Sequence, residues 1–449
     1  MSAVSTWYES DRSDWRETSG APRLLIISPV APVPQGVGGV YLRDLCLMYP
    51  VDRLSFAILP GIGEGPWPAP LDQAPRTILD TVPERGFNRW GRQVQRGTRG
   101  LFDRYVEWHH LPHLVDQLAA FAQRVRPDLL WVPLAGPTMI NVAGTLPRRL
   151  GLPMVTTVWD APDYALPHYW SIERAALARV MACFADAVRA SVRCAVASPE
   201  MKEAYEARYG TPCVPMVHGL PEREWIAPGG LRPLNEPFVI GYAGSLYARK
   251  EWDALMAALA RQSWQIEGRP VIVRVLASSV DVRATGPARI EFLGWHSTSD
   301  AVAILSRCDV CYVPYWFDDA FRPAVELSFP NKASLYLAAG RPIFFHGPRS
   351  STPTRFLERW PVGVACHSLD ANDIVASLSV AASDAGFHQT AAAAIPNALR
   401  EELGMHRFRE RFAEFLGVDE AVLAPLSSLR EGGASERPQP SLRAQQPRG

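Results

Sequence analysis

The sequence predicts an α/β protein built from two doubly wound parallel-sheet domains that face each other across a cleft. Three observations predict it. Short apolar runs of strand character alternate with segments of helical length, the pattern of a parallel sheet covered on both faces. The alternation breaks once, at residues 220–237, where the chain is rich in Pro and Gly and has no sustained period. A second set of strands then begins, and 449 residues suit about two or three domains of ~150 residues each.

Composition narrows the class. Lys plus Arg and Asp plus Glu both number 46, so the formal net charge is zero. That excludes a polycation held to nucleic acid by bulk charge, because counterion release needs a net basic surface. No run reaches the ~18 apolar residues of a membrane-spanning helix. Residues 1–21 form a polar tail with no apolar core of a secretory signal. Seven cysteines, scattered and odd in number, do not make a disulfide framework. A cytoplasmic location is expected.

The first domain spans residues 22–219. Its strands are expected at Arg23–Ser28, Leu54–Leu59, Leu129–Leu134, Met154–Trp159 and Cys194–Ser198. Helical periodicity covers Val40–Met48, Leu114–Val125, Thr138–Leu150 and Ile172–Arg189, and Pro29–Gly39 is expected to be a loop. After the linker, the second domain (residues 238–405) opens at Phe238–Ala243. It continues with strands at Val271–Leu276, Ile290–Leu293, Val310–Val313, Pro342–Phe345 and Val362–Ala365. Residues 406–420 form a closing amphipathic helix. Residues 421–449 turn to Ser, Pro, Gln, Arg and Glu, with too little apolar surface to offset ordering entropy, and are expected to be disordered.

In doubly wound domains ligands bind at the carboxyl ends of strands, and three stretches lie there. Gly36, Gly38 and Gly39 follow the first strand; backbone without Cβ can approach a ligand closely, and a helix N-terminus offers N–H groups to an anion. A tight strand-to-helix turn explains the same glycines. In the second domain Gly244 ends a strand, with Arg249 and Lys250 just beyond, two cations suited to a diphosphate or to a solvated turn. The third stretch is Ser328-Phe-Pro-Asn-Lys-Ala-Ser-Leu-Tyr-Leu-Ala-Ala-Gly-Arg-Pro342. Ser328 is the expected N-cap, Pro330 suits the first turn, and Gly340 suits the C′ position. Lys332 then sits in the first turn, where a cation opposes the helix dipole unless an anion meets it.

Together these stretches resemble the GT-B glycosyltransferases, especially family 4. The resemblance rests on Gly-x-Gly-Gly after the first strand, on Tyr-Ala-Gly…Arg-Lys opening the second domain, and on Pro-x-Lys-x-x-x-Tyr-Leu-Ala-Ala-Gly-Arg-Pro. Pro215-Met-Val-His-Gly219 is similar to the family's Pro-Asn-Gly turn, with His218 in place of Asn. The resemblance covers roughly residues 22–417. It implies two Rossmann-like domains and transfer of a sugar from a nucleotide-diphosphate donor to a polysaccharide, lipid-linked or small-molecule acceptor. It also implies retention of the anomeric configuration. The donor would lie near Gly38, Gly39, Gly244, Arg249, Lys250, Glu326, Asn331 and Lys332. Cations and backbone N–H groups can stabilise a leaving diphosphate, so no metal and no cofactor are expected. Asp160, after the fourth strand, matches a subset of relatives and could bind an acceptor hydroxyl or take its proton; a turn or N-cap role is the alternative.

The chain departs from the family pattern where Leu335 replaces a ribose-contacting Glu and where Trp159 precedes Asp160 in place of a common His. Those departures keep two other readings open: a sugar-nucleotide epimerase, and a non-catalytic binding protein on the same fold. Cys308 and Cys311 are expected to be buried thiols, His109, His110 and His113 a helix end, and Asp318-Asp319 a solvated loop. Arg85, Arg89, Arg92, Arg96 and Arg99 recur at helical spacing. They suggest either a solvated loop or contact with an anionic membrane surface, which would place the protein at the inner face of the membrane.

Overall fold

The computed structural model describes residues 20–34, 36–62, 66–79, 104–170, 172, 174–277 and 289–425. The arginine series from Arg85 to Arg99, most of the N-terminal tail and the chain after residue 425 lie outside the described residues.

The N-terminal half folds as β1 (Leu24–Val30), α1 (Val37–Leu47), β2 (Leu54–Ile62), β3 (Arg76–Ile78), α2 (Leu111–Val125), β4 (Leu129–Pro133), α3 (Pro137–Leu150), β5 (Met154–Val158), α4 (Pro162–Trp170), α5 (Arg174–Ala190), β6 (Cys194–Val196), α6 (Pro199–Tyr209) and β7 (Cys213–Pro215). Its strands pair in the order β3-β2-β1-β4-β5-β6-β7, every pair parallel. Burial explains the sequence pattern: β1, β4 and β5 are covered on both faces, so they read as unbroken apolar runs.

The second half comprises β8 (Phe238–Ala243), α7 (Arg249–Arg261), β9 (Gln265–Ile266), β10 (Arg269–Leu276), β11 (Ile290–Phe292), α8 (Thr298–Leu305), β12 (Val310–Pro314), α9 (Arg322–Leu327), α10 (Lys332–Ala338), β13 (Ile343–His346), α11 (Thr352–Arg359), β14 (Gly363–Cys366), α12 (Ala371–Ser383) and α13 (Ala385–Ala398). The order is β11-β10-β8-β12-β13-β14, all parallel, with β9 antiparallel to β10 outside that path. A last helix, α14 (Met405–Leu416), returns to the first domain. Its Phe408, Phe412, Phe415 and Leu416 join Tyr41, Phe56 and Trp131 in the core on the α1 face of the first sheet.

The chain therefore crosses between the domains twice, and the two crossings touch. Leu220 bridges to Gly404, and the Met405 N–H donates to the Leu220 carbonyl at 3.1 Å. A Cβ on Gly219 would lie 2.5 Å from the Gly404 backbone. His218 adds a clamp. Its Nε2–H donates to Asp44 of α1 at 2.8 Å, while its carbonyl accepts from Ser334 of α10 at 2.7 Å. Burial opposes the Asp44 charge, yet His218 and then Arg43 hold that carboxyl below the ordinary range. The linker lies against α10: the Ile226 N–H donates to the Ala338 carbonyl at 2.8 Å.

Several local expectations are corrected. Ser328 is not the N-cap of the Lys332 helix; it closes α9, and Asn331 occupies the N-cap without a side-chain hydrogen bond. Pro330 stands before the helix rather than in its first turn. The cause is tertiary: the Ser328 carbonyl accepts from Tyr315 and Thr352, which holds residue 328 extended. Gly340 does adopt φ +66°, where a Cβ would meet the Ile226 and Ala227 carbonyls. The helix after β1 starts at Val37, three residues before the expected start. Strands β3, β7 and β9 are too short for a period, and α4 carries Pro167, which reads as a breaker. Cys308 and Cys311 are buried free thiols, and His109, His110 and His113 mark the start of α2. Among the described residues no helix is long and apolar enough to cross a membrane.

Gly219→Ala should cost about 1–3 kcal/mol of stability, the range for forcing extra atoms into a packed site. Chemical denaturation followed by circular dichroism measures it; an unchanged midpoint would show that the crossing strands have room to part.

Candidate functional site

The site is assembled where the carboxyl ends of the two sheets meet. β5 ends at Val158, and Trp159-Asp160 follow. The Trp159 ring meets Gly38, where a Cβ would stand 3.7 Å from it, and packs edge-on to Tyr41 at 6.0 Å. The first glycine stretch, Asp160 and α1 therefore meet at one sheet end. Gly39 has a packing reason of its own: a Cβ there would stand 3.1 Å from the Ala31 and Val33 carbonyls. The tight-turn explanation accounts for Gly39 without a ligand.

Asp160 is exposed to solvent, yet protein surrounds it closely enough for desolvation to raise its pKa above the ordinary carboxylate value. A carboxylate at the floor of an open cleft has both properties. Ser328, from the other domain, pulls in the opposite direction. The Ser328 hydroxyl is buried and makes no well-aligned hydrogen bond, so it reaches toward Asp160 without completing one.

Two residues beyond Pro330, Lys332 opens α10 and turns its ammonium inward. Nζ donates to the Tyr242 hydroxyl at 3.2 Å and lies 4.2 Å from the Tyr242 ring centre and 4.7 Å from that of Tyr247. Among the described residues no carboxylate pairs with it. Cation–π attraction replaces only part of the lost hydration, and burial lowers the Lys332 pKa to about 7. Tyr336, one turn along α10, accepts the Ala243 N–H on its hydroxyl oxygen at 2.9 Å, which ties the helix to the end of β8. Gly244 follows at φ +87° with open space where a Cβ would stand.

The other candidates fall around this centre. Lys250 is exposed in the first turn of α7, with no ion pair among the described residues. Arg249 is drawn back onto its own helix by Asp253 at 3.1 Å, and Glu326 onto α9 by Arg322 at 2.8 Å. Both ion pairs are exposed i,i+4 pairs that a ligand can displace cheaply. Asn331 is exposed at the head of α10, and Leu335 is half-buried against the core of its domain. Asp318 accepts from the Ala320 N–H in an exposed turn. Among the described residues no group of three or more His, Cys, Asp or Glu is placed to hold a metal ion.

Nothing in the linear pattern marks Glu251. It is 1% exposed, its Oε1 accepts the Phe317 N–H at 2.8 Å, and its Oε2 is buried without a partner. Burial raises its pKa. This hydrogen bond, with one from the Trp316 indole to the Tyr247 carbonyl, holds the start of the Trp316–Phe321 segment, and only the mix of a polar residue with a buried helix position could have hinted at it.

No family model matches the chain, and no curated protein matches it in sequence. Solved structures do. Sucrose-phosphate synthase from Thermosynechococcus elongatus superposes with a TM-score of 0.61 at 14% identity, covering 87% of this chain and 98% of that one. The Anabaena protein HepE, in complex with UDP and glucose, gives 0.58 at 14% identity over 88% and 99% of the two chains. The α,α-trehalose 6-phosphate synthase of Burkholderia multivorans gives 0.56 at 14% identity over 88% and 98%. The chain has the GT-B fold. In GT-B terms, Lys332 stands in the C-terminal domain and Asp160 in the N-terminal domain, on opposite sides of the junction.

The lowered pKa of Lys332 fixes the sign of a pH effect. An anion that binds the protonated amine raises that pKa again, so affinity should be flat below pH 7 and fall as pH rises above it. Titration calorimetry with a nucleoside diphosphate at pH 6 and pH 9 should show tighter binding at pH 6, with proton uptake near pH 8. Lys332→Arg should abolish the fall, since guanidinium keeps its proton.

Proposed function

We propose that the protein is a glycosyltransferase that moves a sugar from a nucleoside diphosphate donor onto an acceptor hydroxyl. The observation that carries this reading is Lys332, whose inward-turned ammonium has no carboxylate partner among the described residues and stands across the domain junction from the carboxylate of Asp160. A buried cation is costly until an anion meets it, and a diphosphate supplies that anion. The complex of HepE with UDP and glucose supports the same ligand class.

In this reading the diphosphate lies against Lys332 and the N–H groups at the head of α10, with Lys250 at the rim. The bond from the anomeric carbon to the diphosphate oxygen breaks, and the oxygen takes the electron pair. Charge grows on the diphosphate as that bond breaks, so the Lys332 ammonium stabilises the transition state more than the ground state. The acceptor oxygen bonds to the anomeric carbon and its proton passes to Asp160, whose raised pKa makes it a better base than an ordinary carboxylate. Cations do the work a metal would do, so turnover should survive chelation by EDTA. Retention of configuration, proposed on the family resemblance, requires the acceptor oxygen to attack on the same face from which the diphosphate leaves; proton NMR of the first-formed product decides it.

A donor panel of uridine, guanosine and adenosine diphosphate sugars, scored for binding and for transfer, tests the reading. Lys332→Ala should weaken nucleoside diphosphate binding by about 10- to 100-fold, the worth of a charge-assisted contact. Asp160→Asn should lower kcat by about 10²- to 10⁴-fold with donor affinity retained. Epimerised donor formed without any acceptor would overturn the transferase in favour of an epimerase. No binding to any nucleotide would leave a protein that keeps the fold without the chemistry.

A further inference from the structure

Beside Asp160 the cleft carries a wall of aromatic rings drawn from both domains. α4 supplies Tyr164, His168 and Tyr169, and the segment after β12 supplies Trp316 and Phe321. Trp316 and Phe321 stack at 4.9 Å with their planes 7° apart. The Tyr164 ring lies 5.6 Å from each of them. His168 stacks on Tyr164 at 5.2 Å and meets Phe321 edge-on at 5.1 Å.

The wall is continuous with the site. Trp316 lies 4.9 Å from Tyr247, the ring beneath the Lys332 ammonium, and donates its indole N–H to the Tyr247 carbonyl at 3.1 Å. At the other end Tyr164 is four residues beyond Asp160 and within reach of its charge. Burial, then Tyr169, then Asp160 push the Tyr164 hydroxyl pKa upward. The rings thus run from the donor-side cation to the acceptor-side carboxylate.

A cluster that served only to join the domains would be closed to water. Tyr164 is 4% exposed and fits that role, but Tyr169 is 41% exposed and His168 is exposed beside it. The open end is also amphipathic. The Tyr164 and Tyr169 hydroxyls stand 3.1 Å apart at its edge, and the His168 imidazole adds a further polar tip. Ring faces carry partial negative charge and edges partial positive. The C–H groups on one face of a pyranose are weakly positive and apolar, while its rim is hydroxyl. A lipid chain would match a dry wall instead, and a flat aglycone would have no use for the polar edge.

We propose that this wall is the acceptor subsite and that the acceptor is a carbohydrate presenting a pyranose ring. Its C–H face stacks on the exposed Tyr169 ring, with the His168 ring standing edge-on beside it. Its hydroxyls meet the Tyr169 hydroxyl, the His168 imidazole and, at the reacting position, Asp160. This rests on the glycosyltransferase reading and narrows its acceptor.

Saturation-transfer NMR on the full chain tests it, with methyl α-D-glucopyranoside, methyl β-D-galactopyranoside and phenyl β-D-glucopyranoside as probes. Transfer to pyranose ring protons is expected, reduced at least fivefold in Tyr169→Ala and in His168→Ala, while both variants still bind nucleoside diphosphate, which separates a lost sugar contact from a lost fold. Transfer confined to the phenyl protons of the third probe would overturn the proposal in favour of an aromatic acceptor. Undiminished transfer in both variants would place the sugar elsewhere and overturn it too. So would no transfer to any probe from a protein that still binds nucleoside diphosphate, an outcome that leaves the transferase reading standing. Loss of nucleotide binding in the wild type strikes the transferase reading itself.

Discussion

The structure depends on the contact where its two inter-domain strands cross. Gly219 and Gly404 approach so closely that neither backbone leaves room for a side chain on Gly219. The His218 clamp sits at the same point, bonded by its ring to α1 and by its carbonyl to α10. α1 begins beside the glycine stretch, and α10 begins at Lys332. One short segment thus sets the relation between the element that follows the first strand and the element that carries the cation. Small errors there would be carried directly to the separation of Asp160 from Lys332.

Lys332 concentrates the electrostatic cost of the site. Its ring contacts and its single hydrogen bond hold the side chain in place without neutralising it. The free protein therefore holds an ammonium that loses its proton near neutrality. The helix dipole adds to this, because a cation at N1 faces the positive end. Ligand affinity and protein stability are coupled by that arrangement: above pH 7 the unbound fold is relieved of a buried charge that the unfolded chain keeps, and below pH 7 an anion gains the most.

Much of the architecture was legible in the sequence because buried parallel strands must be apolar throughout. β1, β4, β5, β8 and β12 stand where apolar runs predicted them. The Pro-Gly segment at 220–237 lies against α10, where a Cβ on Gly340 would meet the Ile226 and Ala227 carbonyls. What the sequence hid was tertiary. Ser328 carries the chemistry of an N-cap, but Tyr315 and Thr352 bind its carbonyl and keep it extended. Arg249 and Glu326 carry the charges expected of a donor site, yet each has an i,i+4 partner that a linear motif does not weigh. The tyrosines beneath Lys332 lie in the stretch that opens the second domain, where spacing makes only the glycine and the cations legible. Glu251 and the Trp316–Phe321 rings matter only through contacts that spacing cannot reveal.

The return of α14 to the first sheet has a consequence for how the chain comes into being. Four of its apolar side chains complete a core begun by residues near position 24. That face of the N-terminal sheet, whose last strand ends at Pro215, stays open until about two hundred further residues have been made. The second domain is free to close around its own two cores meanwhile. The first domain in sequence is therefore the last to finish folding, and through the delay it must keep an apolar face away from other nascent chains.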